Sequence, residues 1–153
     1  MPSRTGPSHE TTIEVRDGCL CLHVQRAARA LARRFDTAFR DLGLSQGQFS
    51  LMMALNRPEP PPMGPLADFL AMDRTTLTAN LKPLERRGLV AVAPDPDDRR
   101  SRRLALTATG RRTLAAAVPI WRRVHGAIEA HLADPDALRA GLVALGGSAT
   151  AGE

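Results

Sequence analysis

The 153-residue sequence predicts a mainly α chain carrying one small β-hairpin. Three observations predict it. Apolar residues recur at helical spacing through six separate stretches, most of them opened by a capping residue and closed by glycine or proline. The period shifts to two only once, in the paired runs "LVAVA" (89–93) and "RRLAL" (102–106). Between those runs lies "PDPDDRRS", a turn signal followed by arginines, which suits a hairpin tip and no helix.

The elements follow in order. Residues 1–12 are expected to be a disordered tail. Residues 18–42 read as one long helix, because Leu20, Val24, Ala27, Leu31, Phe35, Ala38 and Leu42 repeat every 3.6 residues. Leu22 lies on the opposite side, so the helix is expected to be sandwiched near its start, as by a second subunit. Gly43 stops it, and Ser45 with Gln48 forms a capping box for "QGQFSLMMALN". "RPEPPPMG" is a stiff loop, with Pro65 expected at the first position of the helix "PLADFLAM". Asp73 caps residues 74–87, and Gly88 ends them. After the hairpin, Thr107 caps a long helix expected to bend near Pro119. Asp134-Pro135 opens a last helix to about Leu145, and 147–153 are expected to be a second disordered tail.

Two short helices joined by a tight turn and followed by a charged hairpin make a winged helix-turn-helix. The charge is placed to match. The net charge is +5, yet residues 1–73 are neutral. Residues 74–112 hold nine Arg and Lys82 against Glu85, Asp95, Asp97 and Asp98, a net +6. A polyanionic partner follows from such confinement. No 18-residue apolar run is present, so no membrane span is expected. The polar opening lacks the apolar centre of a secretion signal, and two cysteines make no disulfide framework, which favours the cytoplasm. No nucleophile elbow, H-E-x-x-H or phosphate-binding glycine loop occurs, so an enzyme is not expected, and neither a cofactor nor a metal centre.

On residues 74–87 the apolar stripe is Leu77, Leu81 and Leu84. The other side presents Arg74, Thr75, Thr76, Thr78, Ala79, Asn80, Lys82 and Arg86, small near the start, basic near the end and free of acid. A DNA major groove is about 12 Å wide and admits one such helix. Hydroxyls and Asn80 suit base edges or phosphates, Ala79 suits a thymine methyl, and Lys82 and Arg86 suit phosphates that set register. The helix N-terminus is expected to add backbone donors for phosphate. In the hairpin, Arg99, Arg100, Arg102 and Arg103 suit a minor groove, with Asp98 expected to aim Arg100.

"MDRTTLTANLKPLERRGLV" followed by "DPDDRRSRRLALTATG" resembles the MarR family of bacterial transcriptional regulators, over roughly residues 18–145. The resemblance implies a homodimer held by helices in 13–44 and 107–146. It implies a DNA-binding lobe in 45–106, a pseudo-palindromic operator, and repression relieved by a small aromatic molecule or an oxidant. It makes Arg100 the wing-tip arginine and Asp98 its partner. Many relatives place a larger polar residue where Ala79 stands. A non-specific architectural DNA-binding protein is the alternative reading.

"LCLHVQRAAR" is similar to the cysteine-bearing first helix of OhrR-type peroxide sensors, with Cys21 at the matching position, although this chain has no tyrosine. Cys19 and His23 are four apart and are expected to meet on one helix. Three readings stay open here: buried structural thiols, a redox switch, or metal capture by Cys19, His23 and a partner chain. His125 sits near Trp121, Val118 and Ile128 as a core or interface histidine, and Met52, Met53 and Met63 suit a core or an adaptable pocket.

Overall fold

The computed structural model describes residues 6–147. The elements are α1 (His9–Gly18), α2 (Leu20–Ala38), a 3-10 turn (Arg40–Leu42), α3 (Gln46–Leu55), α4 (Met63–Phe69), α5 (Arg74–Arg86), β1 (Val90–Pro94), β2 (Arg102–Leu106), α6 (Ala108–Glu129) and α7 (Pro135–Gly147). The two strands pair antiparallel, from Val90 opposite Leu106 to Pro94 opposite Arg102. Helices α3, α4 and α5 followed by the hairpin give the winged helix-turn-helix that the residue pattern predicts.

The N-terminal region differs from expectation in two ways. Residues 8–12 do not belong to a tail: the Ser8 hydroxyl accepts from the Thr11 N–H at 3.2 Å and caps α1. Glu10 in its first turn and Arg16 in its last complement the helix dipole. The long helix expected over 18–42 also starts two residues late, at Leu20, with α1 as a separate helix before it. Cys19 is extended (φ −74°, ψ 108°) and serves both as the end of α1 and as the cap of α2. The apolar period starts only after this point, at Leu20, and Gly18 lowers the cost of ending α1 before it. The second expected tail lies outside the described residues apart from Gly147, which is helical.

Further on, α4 starts two residues early. Pro62 takes its cap and Met63 its first position, so Pro65 falls third, where the missing N–H is still one the helix cannot use. Helix α6 runs through Pro119 without interruption.

The core lies among α2, α3, α5, the hairpin and α6. Phe39, Leu51, Met52, Leu77, Leu84 and Leu104 are all fully enclosed. Phe35, Phe39 and Phe49 stack in series, with ring centroids 5.8 and 4.9 Å apart. Each large apolar side chain so buried contributes roughly 1.5–3 kcal/mol. Three helix ends share one device: a left-handed residue, with amides folding back onto the last turn. At Gly88 (φ 67°) the Leu89 N–H donates to Leu84 O at 2.9 Å. At Gly43 (φ 62°) the Arg87 guanidinium adds two bonds, to the Leu42 and Gly43 carbonyls, and ties the end of α5 to the start of the lobe. The third is Ala71 (φ 51°), between α4 and α5, where Met72 N–H reaches Ala67 O at 2.9 Å. That tight turn sets the angle between the two helices.

Helix α6 is docked onto the wing by Thr107 and Gly110. The Thr107 hydroxyl donates to Gly88 O at 2.6 Å and accepts from Gly110 N–H at 2.9 Å. A Cβ on Gly110 would lie 2.0 Å from Leu89 O, so only glycine permits this approach.

Candidate nucleic-acid interface

Helix α5 buries Leu77, Leu81 and Leu84 as its sequence predicts. Its other side carries all eight polar, basic or small residues read from the sequence. Among them, Arg74, Thr75, Thr78, Ala79 and Lys82 line one open depression of about 340 Å³. Thr75, Lys82 and Arg86 have no side-chain hydrogen bond or ion pair among the described residues.

Other members are engaged within the chain. The Asp73 carboxylate accepts the Thr76 N–H at 2.7 Å and the Thr76 hydroxyl at 2.9 Å. These bonds hold the Asp73 carboxyl below its ordinary range, so it stays ionised. The expectation of free backbone donors at the start of α5 is thereby corrected: an anion already occupies the Thr76 amide, and phosphate would meet like charge there. Thr78 donates its hydroxyl to Arg74 O at 2.8 Å, which leaves only its lone pairs for a partner. The Asn80 amide rests on Met72 Sδ at 3.6 Å, a weak contact that any stronger acceptor displaces.

The wing shows a sharper division. Asp98 does not pair with the Arg100 side chain. Its Oδ1 accepts the Arg100 backbone N–H at 2.9 Å, and Ser101 N–H donates to Asp98 O at 2.9 Å. Asp98 therefore shapes the tip's backbone and leaves the Arg100 guanidinium unpaired. Arg99 and Arg102 are likewise exposed and without a side-chain partner among the described residues.

Arg103 is different. Its Nε is 3.0 Å from Asp95 Oδ2, its Nη2 3.7 Å from Asp97 Oδ2, and its Nη1 donates to Pro60 O at 3.4 Å. Four residues read as one basic cluster thus split into three free cations and one strut.

Asp95, missing from the sequence-derived site, is the only buried charged residue among those described, at 7% exposure. Its carboxyl is held below the ordinary range, chiefly by the Asp97 N–H and then by Arg103, against the opposing effect of burial. The D-x-D spacing was its signal, since an aspartate commonly binds the amide two residues on.

Pro60–Pro62 form the outer edge of the wing. Leu104 N–H donates to Pro61 O at 3.2 Å, and Pro62 bridges to Arg103. Proline suits such an edge because it only accepts there.

The cysteine region does not assemble as expected. The His23 Nδ1 meets the Cys19 carbonyl at 2.8 Å and not its thiol. Cys19 Sγ caps α2 by accepting Leu22 N–H at 3.5 Å, and Cys21 Sγ accepts from the Gln25 amide at 3.2 Å. Cys21 is exposed and Cys19 half-buried, so neither thiol is enclosed by its own chain. No cluster of three metal-ligating side chains occurs among the described residues.

A cleft of about 650 Å³ opens between the lobe and α6. Phe49, Met53, Phe69, Leu70, Val118 and Trp121 make its apolar wall, with Arg57 and Arg122 at its edge. The Arg57 guanidinium lies over the Phe69 ring, 5.9 Å from its centre. His125 stacks on Trp121 at 4.6 Å between centroids and lies outside the lining. Met52 is core, while Met63 starts α4.

The MarR family model matches residues 44–101, from the loop before α3 to the wing tip. The chain superposes on the Mycobacterium tuberculosis transcriptional regulator MosR in complex with DNA with a TM-score of 0.81 and 39% identity, covering 87% of this chain and 97% of that one. The chain belongs to the MarR family. The transcriptional repressor CouR bound to a 23-mer DNA duplex is also similar, at TM-score 0.73 and 30% identity over 88% of this chain and 95% of that one. The transcriptional activatory protein BadR of Rhodopseudomonas palustris is 36% identical over 95 residues, 60% of this chain and 54% of BadR. The chain thus spans about half to three-fifths of the length of the curated relatives it matches. All three of these relatives are described as regulators of transcription. No described helix is long and apolar enough to cross a membrane.

Proposed function

We propose that this MarR-family chain is a sequence-specific DNA-binding regulator that acts as a homodimer on a pseudo-palindromic operator. One observation carries the reading. Arg99, Arg100 and Arg102 stand unpaired on a hairpin that is itself braced by Asp95 and Arg103, beside a helix whose outward face is small and basic. Free cations on a rigid mount suit phosphate and groove contacts, and a merely solubilising turn needs no brace. The recognition set is Arg74, Thr75, Thr78, Ala79, Asn80, Lys82 and Arg86 with the three wing arginines; Thr76 and Arg103 support it from behind.

Dimerisation is supported by apolar surface with no cover in the single chain. Ile13 and Val15 on α1, Leu20, Val24 and Leu31 on α2, and Leu138, Leu142, Val143 and Leu145 on α7 are all exposed. Two copies placing α5 in successive major grooves require half-sites about 34–36 Å apart. We assign repression as its action, as CouR's description states for that relative.

The signal we assign is a small aromatic acid in the cleft beside Trp121, its ring among Phe49, Phe69 and Trp121 and its acid group toward Arg122. Exposed Cys21 supplies a second, oxidant input.

The test is a fluorescence-anisotropy titration with the intergenic DNA beside the coding region, against unrelated competitor DNA. Binding that resists competitor is expected, with Arg100→Ala costing about 1–3 kcal/mol. Affinity equal to that for random DNA would favour the architectural alternative. Aromatic acids are expected to weaken binding in wild type and not in Trp121→Ala. Peroxide is expected to weaken it in wild type and not in Cys21→Ser; an unchanged response in that variant removes the oxidant input.

A further inference from the structure

A smaller cavity of about 130 Å³ lies beneath the proline segment and shares Asn56 and Arg57 with the large cleft. Its walls include Asn56, Arg57, Pro58 and Pro60 on one side and Leu106 and Arg111 on the other. No carboxylate lines it. Neither arginine has a carboxylate partner among the described residues. Arg57 contacts only the Phe69 ring, and Arg111 spends one N–H on Leu106 O at 3.0 Å. A guanidinium carries five N–H donors, so most of these remain unused. The proline carbonyls cannot neutralise them, because Pro60 O and Pro61 O are turned to the wing, onto Arg103 and the Leu104 N–H.

Two cationic residues bordering a small cavity, with an amide and no acid, attract a small anion. At about 130 Å³ the cavity has room for a small tetrahedral oxyanion with water around it. We infer that this cavity is a binding site for a compact oxyanion, such as inorganic phosphate or sulfate, held by Arg57 and Arg111. The inference does not depend on an aromatic ligand in the larger cleft.

The site has a built-in link to the wing. The chain that leaves Arg57 is fixed by Pro58, Pro60, Pro61 and Pro62 and ends as the outer edge of the wing sheet. Leu106 is the last residue of β2. An anion held between Arg57 and Arg111 therefore joins both ends of that edge. It favours the arrangement in which the wing is docked.

The oxyanion has two sources, a free ion or a phosphate of the DNA backbone, and the experiment separates them. The thermal midpoint of the full chain is followed as inorganic phosphate is added at constant ionic strength. A saturating rise in the millimolar range is expected. Arg111→Gln should move its half-saturation about tenfold or more, the loss of one charge-assisted contact. Phosphorus NMR line-broadening of the same phosphate with Arg57→Gln supplies a second variant should Arg111→Gln fold poorly. If free phosphate gives no saturating rise, but Arg111→Gln lowers the salt slope of DNA binding by about one, the site takes a backbone phosphate. A linear rise that is equal in wild type and Arg111→Gln, or no rise with an unchanged salt slope, overturns the assignment.

Discussion

Arg103 reaches across the tip end of the hairpin to Asp95, with Nε 3.0 Å from Oδ2, and the same guanidinium touches Asp97 and Pro60 O. The Nε–H does not point along the contact, so the Asp95 pairing is one of charge. The aligned bond to Asp95 comes instead from the Asp97 amide at 2.9 Å. One carboxylate thus closes the turn and holds the strut that joins the wing to the proline segment. That gives the wing an acid sensitivity of definite sign. The Asp95 carboxyl is lower in the folded chain than in the unfolded one. Its contribution is therefore present above the ordinary carboxylate value, near pH 4, and is lost as pH falls through the depressed folded value. Asp73 at the start of α5 adds an effect of the same sign. Denaturant midpoints measured from pH 7 to pH 2 should fall in wild type below about pH 4. Asp95→Asn should start lower at pH 7 and fall less. Parallel curves would mean that Asp95 is not held as described.

The approach of α6 to the wing predicts a single intolerant methyl group. Gly110→Ala would place its Cβ 2.0 Å from the Leu89 carbonyl oxygen, a backbone atom that cannot swing aside. A loss of about 1–3 kcal/mol is expected, read as a lower denaturant midpoint with unchanged slope. Gly126→Ala is the matched control on the same helix, where a Cβ meets nothing within 4 Å. It should be neutral or stabilising, because alanine is the better helix former. Equal losses at both positions would remove the close approach as the cause.

The turn between α4 and α5 offers the opposite change. Ala71 holds φ at 51°, a conformation that costs an L-residue roughly 1–2 kcal/mol and glycine almost nothing. Glycine returns some of that gain through its larger unfolded-state freedom. Ala71→Gly is therefore expected to stabilise the chain by up to about 1 kcal/mol. Ala71→Val should destabilise it, because a β-branched side chain is worse still at positive φ. A drop in stability for Ala71→Gly would show that the turn is not held at positive φ in solution.

Much of this was legible in the sequence, for physical reasons that differ by element. The buried stripe of α5 follows from apolar spacing alone, and the Ser45–Gln48 box and the Thr107 cap from residue types that satisfy orphan amides. The hairpin was legible because its period changes. Helix α1 was not, since its mostly polar residues leave only Ile13 and Val15 as large apolar positions, too few to show a period. The early start of α4 was hidden because three consecutive prolines each suit a first turn. Arg103 was grouped with its neighbours by charge, although strand alternation sets Arg102 and Arg103 on opposite faces of β2 and so prevents both from serving one groove. The unused donors of Arg57 and Arg111 lie 54 residues apart in the chain, so only the fold brings them together.

Helix α7 supplies the last prediction. Leu138, Leu142 and Leu145 recur at helical spacing and are each close to half exposed, with Val143 beside them at 73%. An apolar stripe on a helix with none of its residues buried needs a cover, and twofold symmetry supplies one by setting the same patch against itself or its neighbour. A leucine buried in such an interface counts twice, once per copy, at roughly 1.5–3 kcal/mol each. Leu142→Glu should therefore raise the dimer dissociation constant roughly a hundredfold or more. Sedimentation at micromolar concentration should show the variant as monomer and wild type as dimer. Circular dichroism should show the same helix content in both, because the core among α2, α3, α5 and α6 does not include α7. Operator affinity should fall with dimerisation, since one α5 then reads one half-site without its partner. A Leu142→Glu protein that stays dimeric at micromolar concentration would place the interface elsewhere, with the exposed residues of α1 and α2 the next to substitute.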